Sequence, residues 1–194
     1  MSRELYLGKY EVREITAPHG MVLNPEPHCV ELVYAGQNVA VTETATSFEN
    51  ERQKVEISLV KSIEQNERFG IGTNGEMKNI SFGLFAAEEI VSASGTSIPA
   101  NGLVEIISLN EDGTAKIKTD LPFGSYYVQE LATDSHYKLS DTKYPVTFGY
   151  ASQDTAVVKI AVNGGNAVEN KLIYGSVSGK KITENGEALG GAVI

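Results

Sequence analysis

The sequence predicts an all-β chain folded as a β-sandwich, and three observations carry that prediction. Val, Ile, Thr and Tyr recur throughout while Trp is absent, which is the composition of pleated, half-buried strands. Apolar and polar residues alternate in short runs, the period of a strand with one face in a core. Clusters of Gly, Asn and Asp separate these runs at spacings near ten residues, as in sandwiches built of many short strands.

Taken in order, Val55, Ile57 and Leu59 share one parity with Lys61, so Lys61 is expected to face the core. The opposite choice, with Val60 and Ile63 inward, would turn Lys61 to solvent and stays open at this level. Residues 58–67 compete as a helix, but their apolar positions are few and the segment runs on into Gly70 and Gly72, so a strand followed by a loop is expected. Ala86, Ala87, Glu88 and Glu89 are helix formers, which leaves a short helical turn open within residues 85–91. Tyr126 and Val128 share a parity with Glu130, and Val158, Ile160 and Val162 form a further alternating run. Turn signals fall at Asn74-Gly75, Asn110-Glu111-Asp112-Gly113, Asn163-Gly164-Gly165 and Asn185-Gly186.

Composition removes several classes of function. With 194 residues and 41% hydrophobic content the chain can bury a core. A formal net charge of -9 leaves no basic stripe to neutralise phosphates, so neither nucleic acid nor an anionic membrane is an expected partner. Cys29 stands alone, which excludes an intrachain disulfide, and the three histidines lack the paired spacing of zinc sites; no metal and no cofactor are expected. No apolar run reaches the length of a membrane span, and Met1-Ser2-Arg3-Glu4 does not read as a signal peptide. No Ser-His-Asp or Cys-His frame is visible, so a conventional enzyme is not expected.

An internal repeat organises the rest. Leu7-Gly8-Lys9-Tyr10-Glu11-Val12-Arg13-Glu14 reappears as Leu121-Pro122-Phe123-Gly124-Ser125-Tyr126-Tyr127-Val128-Gln129-Glu130, with Gly-x-Tyr-x-Val-x-Glu in common. Phe48-Glu49-Asn50 matches Val168-Glu169-Asn170, and Lys61 matches Lys181, which the offset and the parity of Val177 and Gly179 favour over Lys180. The Glu copies lie 116 residues apart and the Asn and Lys copies 120. A period near 120 residues predicts the end of one repeat (1–52), a complete repeat (53–173) and the start of a third (174–194), joined by short linkers.

A lysine on an early strand, a glutamate closing Gly-x-Tyr-x-Val-x-Glu and an asparagine closing the last strand resemble the Cna-B type repeat of collagen adhesins and SpaA-like pilins, on Gram-positive surfaces. The resemblance covers the middle repeat and both flanking pieces. It implies an immunoglobulin-like β-sandwich and a spontaneous isopeptide bond between Lys61 and Asn170, with Glu130 as the assisting acid. It also implies incomplete flanking sets: Glu14 and Asn50 in the first piece, Lys181 in the third.

The chemistry has its own physical basis. An ammonium cannot attack an amide, but burial disfavours the charged form and leaves lysine a neutral nucleophile. Glu130 is expected to polarise the Asn170 side-chain carbonyl and to shuttle protons as ammonia leaves. The expected function is a structural stalk or spacer module of a cell-wall-anchored adhesin or pilin, held on the extracellular surface. The alternative is an adhesin module that binds a host matrix protein or glycan through its loops or the 69–79 insertion. Expected partners are neighbouring repeats, and the separated half-sets raise head-to-tail docking between chains.

Weaker signals are read blandly. Asn110-Glu111-Asp112-Gly113 is too short for a calcium loop and reads as a hairpin turn. His19, His28 and His136 fall in loop-like stretches, and Lys143-Tyr144-Pro145-Val146 has the wrong order for a pilin polymerisation motif. Asn79-Ile80-Ser81 is a formal glycosylation sequon with little meaning in a bacterium.

Overall fold

The computed structural model describes residues 5–92 and 95–191, so Met1-Ser2-Arg3-Glu4, read above as no signal peptide, lie outside the described residues. The chain opens with β1 (Gly8–Val12) and β2 (His28–Leu32), which pair antiparallel with Tyr10 opposite Val30. There follow β3 (Lys54–Ile63), β4 (Ser81–Ala86), the short pair β5 (Ile90–Val91) and β6 (Ser97–Ile98), and then β7 (Leu103–Ser108). β8 (Thr114–Thr119), β9 (Gly124–Ala132), β10 (Tyr144–Phe148), β11 (Val157–Ala161) and β12 (Val168–Asn170) complete the order.

Two four-stranded sheets face each other as a sandwich. One runs β10-β9-β4-β7, all antiparallel. The other centres on β3, with β8 antiparallel along one edge and β11 and then β12 parallel along the other. Between β11 and β12 the chain makes a 3-10 turn, in which Asn163 and Gly164 adopt positive φ of 53° and 61°. Asn and Gly tolerate that conformation, as the Asn-Gly-Gly signal anticipated.

Alternation in β3 places Val55, Ile57, Leu59 and Lys61 on the buried side and leaves Val60 exposed. Phe82, Leu84, Tyr126, Val128, Val146 and Phe148 of the facing sheet close the core over them. The inward parity of Lys61 is therefore the one the pleat adopts, and the Val60 alternative is not.

The β1–β2 pair copies β9–β10 in detail. Tyr10 donates its hydroxyl proton to Tyr6 O and Tyr126 to Pro122 O, each at 2.7 Å and each four residues back. Isolated bridges join Met21 to Arg52 and Tyr137 to Leu172 at corresponding places. The first segment also packs against the sandwich: Gln53 N donates to Gly20 O at 3.0 Å and Leu23 N to Gln153 O at 2.8 Å. Gln153 accepts from Ala17 N and donates to Ile15 O.

One open alternative is closed and two expectations are corrected. Residues 85–91 form no helical turn, because Phe85 and Ala86 continue β4 against β9 and only a bend separates them from β5. The turn at residues 110–113 is a corner between sheets and not a hairpin, since β7 pairs with β4 while β8 pairs with β3. His28 opens β2 instead of lying in a loop, and its ring stacks on Phe48 at 4.2 Å.

Candidate functional site

The site lies where the end of β3 meets β12, under the end of β9. Parallel pairing sets Val168 opposite Lys61 and Asn170 opposite Ile63, so the Lys61 side chain runs forward along β3 toward the Asn170 level. Lys61 N donates to Gly113 O at 2.8 Å across the sheet corner. Gly113 has φ of 80°, and a Cβ there would stand 2.3 Å from Lys61 O, so only glycine lets the corner approach so closely.

Lys61, Glu130 and Asn170 are 2%, 4% and 2% exposed. The Lys61 Nζ donates to Val168 O at 3.0 Å and to Ser62 O at 2.9 Å, and lies 3.9 Å from Glu130 Oε1. Asn170 Nδ2 donates toward Glu130 Oε1 and Oε2 at 2.8 and 3.0 Å, and toward Thr133 Oγ1 at 2.9 Å. Ser140 N donates to Glu130 Oε2 at 2.9 Å, which fixes the carboxyl from the side away from the lysine.

Burial pushes the Lys61 amine down from its ordinary value to about 8, against the opposing pull of the Glu130 and Glu169 carboxylates. A usable fraction of neutral amine is therefore present near neutral pH. One feature departs from expectation: Glu130 meets the amide nitrogen of Asn170, not its carbonyl. A carboxylate only accepts hydrogen bonds, so the donor end of the amide turns to it. Asn170 Oδ1 is then left buried without a hydrogen-bond partner. An orphaned carbonyl oxygen in a low-dielectric site is costly, and a native fold rarely leaves one without a reason.

The first segment holds part of a similar arrangement. Asn50 Nδ2 donates to Glu14 Oε2 at 2.6 Å, and Asn24 N donates to the same oxygen, ten residues on from Glu14 as Ser140 is from Glu130. Lys181 is exposed and, among the described residues, forms no hydrogen bond or ion pair with Glu14 or Asn50. Sequence reasoning missed Thr133 and Gly113. Thr133 carries no motif signal, and Gly113 looked like ordinary turn chemistry.

Among the described residues there is no group of His, Cys, Asp and Glu placed to hold a metal ion, and no helix long and apolar enough to cross a membrane. The buried amine, carboxyl and amide between two sheets define a β-sandwich domain with a Lys-Glu-Asn centre. The SpaA family of prealbumin-like fold domains matches over residues 68–166, about half of the chain, and the chain belongs to that family. The matched stretch contains Glu130; Lys61 and Asn170 flank it.

Among solved structures, the Bacillus anthracis TIE protein is similar at 20% identity and a TM-score of 0.51, over 95% of this chain and 32% of that one. The minor pilin GBS52 of Streptococcus agalactiae aligns at 17% identity and a TM-score of 0.40, over 66% of this chain and 49% of that one. BcpA, the major pilin subunit of Bacillus cereus, aligns at 20% identity and a TM-score of 0.33, over 61% and 29%. The chain thus spans half or less of the length of each of these structures. No curated protein matches it significantly.

Proposed function

We propose that the chain is part of the stalk of a surface adhesin or pilin, and that its sandwich is locked by a self-formed isopeptide bond between Lys61 and Asn170. In this reading residues 53–173 are one complete repeat, residues 1–52 the end of a preceding one and residues 174–194 the start of a following one. Glu14 with Asn50, and Lys181, belong to equivalent sites in those neighbours. The parent protein stands on the extracellular face of a Gram-positive cell, anchored to the wall, and its partners are its own adjacent repeats. The chain turns over no substrate.

The observation that carries the reading is Glu130 Oε1, which lies 3.9 Å from the Lys61 amine and 2.8 Å from the Asn170 amide nitrogen in a site closed to water. The neutral amine attacks Cγ of Asn170, and a new C–N bond forms. Glu130 takes a proton from Nζ and passes one to Nδ2; the C–Nδ2 bond breaks and ammonia leaves. Amine plus primary amide becomes secondary amide plus ammonia, with Glu130 regenerated.

A pulling force enters this repeat at the start of β3 and leaves after β12, and the bond joins those two strands directly. Residues 62–169 would then carry no load, which is the property a stalk needs. Proteolytic digestion followed by tandem mass spectrometry tests the reading. A branched peptide joining the segments of Lys61 and Asn170 is expected, and recovery of only the two linear peptides would refute it.

A further inference from the structure

We infer that Thr133 is a further catalytic residue of this site, the group that holds and then releases the departing nitrogen; the inference rests on the isopeptide reading above. An amide nitrogen has two hydrogens. Here they meet three acceptors: one hydrogen is shared by the two Glu130 oxygens, and the other goes to Thr133 Oγ1 at 2.9 Å. Glu130 and Thr133 therefore account for the whole hydrogen-bonding capacity of the atom that must leave as ammonia.

Thr133 reaches that atom through a backbone irregularity. In β9, Glu130 pairs with Phe82 and Ala132 with Ser81, so two steps on β9 answer one on β4. The extra residue reverses the pleat, leaving Leu131 and Ala132 exposed and drawing Thr133, three positions past Glu130, in beside it. Regular alternation would have sent position 133 to the opposite face.

The first segment shows what the hydroxyl is not required for. The residue corresponding to Thr133, 116 positions earlier, is Ala17. Asn50 is nonetheless seated on Glu14, and its Nδ2 turns to Val22 O at 2.9 Å instead. Seating an asparagine beside the glutamate thus needs no hydroxyl, and in the first segment a backbone carbonyl accepts the hydrogen that Thr133 takes here.

While Asn170 is an amide, Nδ2 has no lone pair to offer and the hydroxyl accepts its hydrogen. Once Nζ has added to Cγ, Nδ2 is an amine with a free lone pair. Glu130 delivers its proton to that lone pair, while Thr133 Oγ1 goes on accepting an Nδ2 hydrogen and so holds the lone pair toward Glu130 until the C–Nδ2 bond breaks. Nζ gains a bond to Cγ, Nδ2 loses its own, and Thr133 ends unchanged.

The test is the rate of ammonia loss in freshly synthesised chain, followed by intact mass as a decrease of about 17 Da. Thr133→Val, which removes the hydroxyl at nearly constant volume, is expected to slow the loss about tenfold or more, while Thr133→Ser stays within about threefold of the unmutated chain. Thr133→Ala, the residue found in the first segment, serves as a second hydroxyl-free variant should the valine disturb folding. If the unmutated chain loses its ammonia and either hydroxyl-free variant does so at the same rate, or Ser is slowed as much as Val and Ala, the role of Thr133 is overturned and the Lys61–Asn170 bond stands. An unmutated chain that loses no ammonia overturns both.

Discussion

Glu130 Oε1 lies 2.8 Å from the Asn170 amide nitrogen and 3.9 Å from the Lys61 amine, so one carboxyl oxygen touches both of the groups that a bond between Lys61 and Asn170 would join. Neither ionisable side chain has meaningful contact with water. A buried pair of this kind contributes little net stability by itself, because desolvation offsets the attraction. Its presence in the core is better explained by chemistry, and that explanation has measurable consequences.

Removing the nucleophile should expose the contribution of the crosslink. A bond between Lys61 and Asn170 closes a loop of 109 residues, and by the chain-entropy argument for crosslinks it contributes about 4 to 5 kcal/mol. Lys61→Met fills most of the same volume without an amine. Urea unfolding should show a loss of about that size, and a variant as stable as the parent chain would contradict it.

Bond formation should depend on pH through Lys61. Burial holds the amine at about 8, below its ordinary value of 10.5, so the neutral nucleophile is the minor form below that point and the major form above it. The limb of the rate profile set by Lys61 should rise about tenfold per pH unit up to about 8 and then level off. The sign for stability follows the same shift. Before the bond forms, the folded chain gives up the Lys61 proton more readily than the unfolded chain, so stability rises between about 8 and 10.5. Mass time courses across buffers from pH 6 to 9 check the first statement, and urea midpoints of a Glu130→Ala chain, in which the amine stays unreacted, check the direction of the second.

Gly113→Ala should be severe for a turn residue. The added carbon would meet Lys61 O at 2.3 Å, and φ at that position is 80°. Strain of this kind costs on the order of 1 to 3 kcal/mol. The corner should retreat from β3, lowering the urea midpoint and slowing ammonia loss together. A variant with unchanged stability and rate would show that the corner does not position Lys61.

The contact between the first segment and the sandwich should depend on Gln153. Its side chain accepts from Ala17 N and donates to Ile15 O, while its backbone carbonyl accepts from Leu23 N. Gln153→Ala should remove only the side-chain pair and cost roughly 1 kcal/mol. Amide exchange should speed up at Ala17 while Leu23 stays protected. Unchanged exchange at Ala17 would show that the segment is held by other means.

Much of this was legible in the sequence because the governing signals are periodic. The alternation Val55, Ile57, Leu59 predicted the inward face of β3, and the Gly-x-Tyr-x-Val-x-Glu frame placed Glu130 at the end of a core strand. The repeat also led to the Glu14 and Asn50 pairing, which the structure brings into direct hydrogen bonding. What escaped was set by tertiary geometry. The inward turn of Thr133 depends on an extra residue in β9 opposite β4, and no local pattern marks it. The corner at residues 110–113 carried ordinary hairpin residues, and only the pairing of β7 and β8 with different sheets distinguishes it from a hairpin. The orientation of the Asn170 amide followed from which acceptors surround it, and that requires coordinates.

The most direct test of the central claim is the intact mass of the purified chain. One Lys61–Asn170 bond predicts a mass about 17 Da below that calculated from the sequence, with the full value restored in Lys61→Ala and in Glu130→Ala. An unmutated chain at its full calculated mass would contradict the account.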